Sequence, residues 1–188
     1  VIAMGLDRTN PVLEFMIEKE KQADPGMRLK ISVVSNETAP RGSYNAATHT
    51  VQLNKKKGGL TKRAIIHELV HAYSSRGINL VNKFPGQNRN TGLGRAVREV
   101  EDLRLSITRS PEVMERMGLE WPVWQQFLRG YNIYQQNKNR PGGIDRSKLS
   151  PSQVADLNTF LDQGNLDLYY GLVNAKEFVA ELLSNPAF

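Results

Sequence analysis

The segment that most constrains this chain is IHELVHA at residues 66–72, an HExxH motif inside a run of apolar residues. Residues four apart on an α-helix lie on one face, so His67 and His71 can both direct a ring nitrogen at one metal ion. Glu68 would lie about 100° further round such a helix. That position suits a general base acting on a metal-bound water better than a third ligand. The motif therefore predicts a Zn²⁺ site on a helix.

The residues around the motif independently favour a helix. Thr61 is a candidate N-cap, and Gly77 is a candidate stop signal. The chain has only three histidines, and two of them fall at this spacing around a glutamate. The alternative is a buried helix whose histidines merely pack or hydrogen-bond. The apolar residues that recur at helical spacing and would face a core are Ile65, Ile66, Leu69, Val70 and Tyr73.

Composition limits the remaining chemistry. The chain has 188 residues, of which 39% are hydrophobic, so we expect one domain, residues 1–188. It has no cysteine, which excludes disulfides, thiolate metal sites and a cysteine nucleophile. No apolar run approaches the roughly 18 residues that span a bilayer, and no signal-peptide pattern is present, so we expect no membrane partner. The chain begins with Val1 rather than Met and ends just beyond a helical pattern, which suggests a piece of a longer protein.

The net charge of the chain is +6. A basic surface attracts nucleic acid and other polyanions, so weak nucleic-acid binding is one expectation. The basic residues are scattered over the stretches 55–57, 95–109 and 138–148, a pattern that is also typical of solvated loops and helix faces.

The secondary-structure pattern predicts an α+β fold that is mostly helical, with a small sheet beside the HExxH helix. Two strands are expected, one in residues 27–35 and one formed by Tyr44 and residues 48–53. Residues 79–94 read as a loop. Helices are expected at 11–22, 93–109, after Ser110-Pro111, and at 121–136, 150–162 and 174–183.

The strand before the HExxH helix has a functional interpretation. An exposed strand edge beside a catalytic site can pair with the extended backbone of a peptide substrate. His49 falls in this strand, and we expect it to be an ordinary strand residue, because no ligand spacing connects it to the helical pair.

A two-histidine site still needs a third protein ligand. Glu177 and Glu181 lie four residues apart in the last helix, where Glu177 could bind the metal and Glu181 could accept the free ring N–H of a metal histidine. Asn174 followed by Glu177 is also a capping box, which is a purely structural reading. The rival ligands follow His71 by 28 to 31 positions, whereas Glu177 follows it by 106; they are Glu99, Glu101 and Asp102.

Two blocks of the sequence resemble a known family. HELVHA at 67–72 and YGLVNAKEFVAELLSNPAF at 170–188 resemble the zincin-like peptidase domains of large phage and mobile-element polyvalent proteins. In those domains an HELxHA helix is followed, after a helical insertion, by a segment close to YGLTNxxEFVAExxxNPxF. The chain is more distantly similar to the metallopeptidase domain of ArdC-type antirestriction proteins.

The resemblance implies a zincin-like metallopeptidase fold with the gluzincin arrangement. His67, His71 and Glu177 would bind zinc, and Glu68 would be the catalytic base for hydrolysis of a protein substrate. It also implies a protein that acts in the host cytoplasm or in the virion. The alternative functions are a nucleic-acid-associated module and a structural phage or virion domain in which the zinc site is not catalytic.

Hydrolysis by such a site also needs a donor that stabilises the transition state. Tyr170 is our nominee, because it precedes the Glu177 helix. Tyr169 and Tyr73 are further candidates, and packing is the alternative role for all three tyrosines.

Overall fold

The computed structural model describes residues 11–162, 167–185 and 188. The described chain is predominantly helical with one small mixed sheet, which confirms the predicted α+β class. It divides into two compact units. Unit 1 contains the described residues up to Arg98 and those from Val179 onward, and unit 2 contains residues 99–178.

Unit 1 contains the sheet and the HExxH helix. Its first helix, α1, is Pro11–Gln22, and the strands are β1 (Lys30–Val34), β2 (Gly42–Asn45) and β3 (Thr50–Asn54). The HExxH helix is α2 (Lys62–Lys83), and it is followed by the short α3 (Pro85–Asn88). Short 3-10 helices lie at Pro25–Met27 and Lys55–Lys57.

The regular elements in the described part of unit 2 are all helices. Helix α4 (Gly92–Thr108) begins in unit 1 and ends in unit 2, and α9 (Ala175–Ser184) begins in unit 2 and ends in unit 1. No helix in the described parts of the chain is long and apolar enough to cross a membrane. The remaining helices are α5 (Pro111–Arg116), α6 (Trp121–Asn137), α7 (Pro151–Leu161) and α8 (Asp167–Gly171), with a 3-10 helix at Arg146–Lys148.

The sheet has the strand order β1-β3-β2. β1 runs parallel to β3, and β2 runs antiparallel to it. Val51 and Leu53 of β3 are buried in the core of unit 1, so their face of the sheet is the inner one. Gly42 and Tyr44 stand directly opposite Leu53 and Val51, which places both on this same face.

The core of unit 1 is built around the first half of α2. Residues 64–72 of this helix are all buried, including the three polar residues of the motif. The side chains that pack here come from α1, β3, α2 and α9: Leu13, Met16, Val51, Leu53, Ile65, Ile66, Leu69, Val70, Ala72 and Ala180.

Unit 2 has an aromatic core between α6, α7 and α8. Trp124 and Phe127 are fully buried, and both stack or tilt against Tyr169. Helices α6 and α7 approach each other closely at Gly130. A side chain at this position would collide with the carbonyl oxygen of Asp156, so the close approach requires glycine.

Several local expectations were wrong. Helix α2 does not stop at Gly77 but continues to Lys83, and residues 79–94 contain the end of α2, all of α3 and the start of α4 rather than a loop. The expected second strand is two strands, β2 and β3, joined by a turn. Asn10, which the sequence favours as the N-cap of α1 because it directly precedes Pro11, lies outside the described residues.

Asn54 holds the loop before β2 onto the end of β3. Its side chain is fully buried, and its amide donates to the carbonyl oxygens of Asn36 (2.6 Å) and Ala39 (2.9 Å). Its Oδ1 accepts from the backbone N–H groups of Lys56 (3.2 Å) and Asn36 (3.3 Å). One side chain therefore satisfies four polar groups and fixes the approach to β2.

We expect Asn54→Ala to destabilise the protein by about 2 to 3 kcal/mol, because buried carbonyl and N–H groups lose their partners. Urea unfolding followed by circular dichroism measures this. The matched control is Asn82→Ala at an exposed position of α2, which should change stability by less than about 0.5 kcal/mol. Equal effects of the two substitutions would contradict the assigned role of Asn54.

Candidate metal centre

Helix α2 carries the motif on a well-formed N-terminal half. Thr61 caps it, because the Thr61 side chain accepts a hydrogen bond from the Ala64 N–H at 3.3 Å. The apolar residues around the motif pack into the core of unit 1 and hold the helix in place. The two histidines therefore project from a rigid, buried element.

His67 and His71 point their Nε2 atoms at each other. These nitrogens are 3.1 Å apart, the ring centroids are 4.7 Å apart, and the rings are nearly perpendicular. Only 8% of His67 and 9% of His71 is exposed, so water does little to screen the pair. Two imidazole nitrogens at this separation must share a hydrogen or a cation, which is the arrangement that two ligands of one metal ion require.

Glu177 completes a three-residue group with the histidines. One candidate ligand atom from each of His67, His71 and Glu177 lies within 4.8 Å of the others. No other group of three or more potential metal ligands occurs in the described ranges, so Glu99, Glu101 and Asp102 do not form one with the histidine pair there. The geometry therefore brings Glu177, and not these rivals, close to both histidines, and the role of Glu177 as a ligand stays a prediction.

The position of Glu177 follows from helix α9. The boundary between the two units falls inside this helix, after Phe178. Glu177 is therefore one turn before Glu181 on a continuous helix, and Glu181 contacts His67 directly. At the start of α9, Asn174 Oδ1 accepts from the backbone N–H groups of Lys176 and Glu177, so the expected capping by Asn174 is present as well.

Glu181 lies behind His67 with almost no exposure to solvent. Its Oε1 is 3.1 Å from His67 Nδ1, and its Oε2 accepts from Arg63 Nη2 (2.8 Å) and Asn185 Nδ2 (3.0 Å). Burial by itself would raise the pKa of Glu181. The hydrogen bonds and positive charges of His67 and Arg63 outweigh burial and lower that pKa below its ordinary value of 4.5.

Glu68 is buried on the side of α2 that faces the sheet. Only 8% of the residue is exposed, and its side chain lies against the backbone of Gly42 in β2. It is not part of the three-residue ligand group. That Glu68 is not a ligand, and that it acts as a base, both stay predictions.

The nominated tyrosines differ in their surroundings. The Tyr73 hydroxyl donates to Glu20 Oε1 at 2.5 Å, and burial followed by this hydrogen bond and the charge of Glu20 raises the Tyr73 pKa. Tyr169 is buried, and its hydroxyl accepts from the Glu120 N–H at 2.7 Å. Both hydroxyl groups therefore form hydrogen bonds within the fold. Tyr170 is half-buried in α8, and its proposed role stays a prediction.

His49 lies in the turn between β2 and β3 rather than within a strand, with a positive φ of 49°. Its Nδ1 is 2.8 Å from the Tyr44 hydroxyl. The expectation of an ordinary strand residue was therefore wrong, and His49 is not a member of the candidate ligand group.

Sequence reasoning missed three residues of the site. Arg63 precedes His67 by four residues, and Asn185, just beyond the end of α9, follows its partner Glu181 by four residues. This spacing was the available signal, since it places each residue on the same helix face as a proposed site residue. Gly42 carried no such signal, because its contact with Glu68 crosses from the sheet to α2.

Part of the positive charge of the chain is paired with carboxylates of the same chain. Arg63 binds Glu181, and Arg104 binds Glu101 and the Leu172 carbonyl oxygen. Arg129 donates two hydrogen bonds to the Asp156 carboxylate, at 2.8 and 3.1 Å. Weak nucleic-acid binding through the basic surface stays a prediction.

Comparison with known proteins gave no match: no family model, no curated protein and no solved structure matches this chain. Membership of the zincin-like family, which the two motif blocks suggested, therefore also stays a prediction.

We expect Arg63→Met to destabilise the metal-free protein in a pH-dependent way. The lowered pKa of Glu181 means that its carboxylate stabilises the fold above its ordinary pKa, and that this contribution is lost as the pH falls through the folded-state pKa. The loss in urea midpoint should therefore be large near about pH 7 and shrink below about pH 4.

Arg63→Lys is the matched control, because it keeps the cation and should lose less stability. A loss in Arg63→Met that is the same at every pH would show that Arg63 acts by packing and not by its charge.

Proposed function

We propose that this protein is a zinc-dependent peptidase that hydrolyses peptide bonds of a protein substrate. The observation that carries the proposal is the three-residue group of His67, His71 and Glu177, with ligand atoms within 4.8 Å of one another. Glu68, on the same helix turn as the histidines, supplies a nearby carboxylate for proton transfer.

The donor set fits Zn²⁺. Two imidazole nitrogens and one carboxylate oxygen are the three protein ligands of a well-known class of catalytic zinc site, which keeps its fourth position open. Structural zinc sites usually have four protein ligands. The group has three members among the residues that the structure describes, which favours a catalytic site over a bracing one.

The protein side chains orient the ligands. Glu181 would accept the hydrogen of His67 Nδ1 and so leave the Nε2 lone pair free for the metal. His71 would bind through its own Nε2, which faces the same point, and Glu177 would bind through a carboxylate oxygen. When bound, Zn²⁺ would polarise the scissile carbonyl group and lower the pKa of water at the site.

Glu68 would act as the general base. A carboxylate oxygen of Glu68 would take a proton from the attacking water and then donate it to the leaving amine nitrogen. The side chain is buried and packed against β2, so its carboxylate has a defined position and little competing water.

Strand β2 offers a place for an extended substrate. The strand directly before the HExxH helix, β3, is paired on both sides and has no free edge, contrary to expectation, whereas β2 is an edge strand of the described sheet. A peptide that added to this edge would be held by backbone hydrogen bonds. Because Gly42 of β2 touches Glu68, such a peptide would pass close to the proposed base. The resemblance noted above suggests a host or phage protein as the substrate.

We expect purified wild-type protein to contain about one zinc per chain and Glu177→Ala to contain far less, since a third ligand is needed to hold the ion. Inductively coupled plasma mass spectrometry on protein purified without added zinc measures this. The matched control is Glu99→Ala, which removes an exposed carboxylate and should retain the metal.

Two results would contradict parts of the proposal. If Glu177→Ala keeps its zinc while Glu99→Ala loses it, the ligand assignment is wrong. If the wild type binds no zinc even after reconstitution, the enzyme proposal fails, and a structural or nucleic-acid-associated role becomes the better one.

We expect Glu68→Gln to reduce kcat on a fluorescent peptide library by about 10²- to 10⁴-fold, the usual contribution of a general base. Zinc content and Tm should be nearly unchanged, because glutamine has the same shape. Glu14→Gln, at an exposed position of α1, is the matched control and should keep full activity. A zinc-loaded wild type with no activity to lose would favour a non-catalytic zinc site.

A further inference from the structure

Gly42 is the first residue of β2, and it stands opposite Leu53 of β3 on the inner face of the sheet. Its backbone is not in the left-handed region, since its φ is not positive. No left-handed backbone conformation therefore requires a glycine at this position. A glycine inside a strand without such a requirement usually marks a close approach by another part of the protein.

The close approach at Gly42 is made by the side chain of Glu68. A Cβ at residue 42 would lie 2.5 Å from Glu68 Oε1, 2.6 Å from Cγ and 2.8 Å from Cδ. A Cβ atom almost never lies this close to a non-bonded atom in a folded protein. A side chain at residue 42 would therefore have to displace either Glu68 or the strand. The collision includes Cγ, which means that a small rotation of the carboxylate group would not relieve it.

The strand is held more firmly than the glutamate side chain. β2 is bonded to β3 by the antiparallel ladder. Just before Gly42, the Arg41 carbonyl oxygen accepts from the Asn54 N–H at 2.8 Å, at the buried end of β3. The side chain of Glu68 has three rotatable bonds, so it is the group that would move.

We propose that Gly42 is a positioning residue. Because glycine has no side chain, residue 42 leaves the space that the Glu68 carboxylate occupies. The steric coupling of the two residues stands on the geometry alone. Its consequence for hydrolysis rests on the proposed function, because a displaced Glu68 could no longer reach the attacking water.

The test is a double-mutant cycle on the stability of the metal-free protein, with Gly42→Ala, Glu68→Ala and the double variant. Gly42→Ala alone should lower Tm by about 3 to 9 °C, because it overpacks the site. In the Glu68→Ala background the same change should be neutral or raise Tm, because the added methyl group enters space that Glu68 has left.

The matched control is Gly92→Ala, which places a methyl group in open space and should have the same small effect in both backgrounds. If Gly42→Ala alone does not fold but the double variant does, the coupling is supported. Equal Tm losses from Gly42→Ala in both backgrounds, or failure of the double variant to fold while Glu68→Ala folds, would overturn the proposal.

Activity measurements separate this inference from the proposed function. Gly42→Ala should keep about one zinc per chain but lose about 10- to 100-fold in kcat, the effect expected when a catalytic group is misplaced. If the stability coupling is found and the wild type has neither zinc nor activity, the proposed function fails, but the steric coupling of Gly42 and Glu68 is still supported. If zinc and activity are found and Gly42→Ala keeps full kcat, the positioning role is wrong.

Discussion

The contact on which the rest of the site depends is that between the buried carboxylate of Glu181 and the ring of His67. The two atoms are 3.1 Å apart, and only 2% of Glu181 is exposed. A carboxylate removed from water to this extent destabilises a fold unless it is paired and hydrogen-bonded. Arg63 and Asn185 provide the remaining partners. Since these groups come from α2 and from the end of α9, the pairing also fixes one helix against the other within unit 1.

The same contact determines what the histidines can do. With Glu181 on the Nδ1 side of His67, the opposite nitrogen, Nε2, is left facing His71. The orientation of the proposed ligands is therefore set by groups that would not touch the metal, as is common in metal sites. The proposed metal site would also give a reason for a buried, charged cluster in unit 1, where apolar side chains of similar volume would often be at least as stable.

The sequence allowed prediction of the parts of the fold that local rules determine. The HExxH helix, the cap at Thr61 and the helix carrying Glu177 all follow from spacing and capping signals. The end of α2 could not be predicted in this way. Gly77 is a helix breaker by propensity, at a cost of about 1 kcal/mol relative to alanine. Here the helix continues through it, and a Cβ at this position would lie 3.2 Å from Leu93, so close packing favours the small residue. Likewise, the contact of Gly42 with Glu68 joins residues that no periodicity connects.

Three glutamates lie near one pair of histidines, and their environments separate their proposed roles. Glu181 is buried and paired with Arg63, which keeps it ionised and makes it suitable for orienting His67 and unsuitable for exchanging protons. Glu177 lies in the first turn of α9, where the positive end of the helix dipole favours a negative ligand. Glu68 lies on the side of α2 that faces the sheet, with its side chain against Gly42 of β2. Because Glu68 is outside the three-residue ligand group, its carboxylate oxygens would stay available for proton transfer, which is the property that the proposed general base requires.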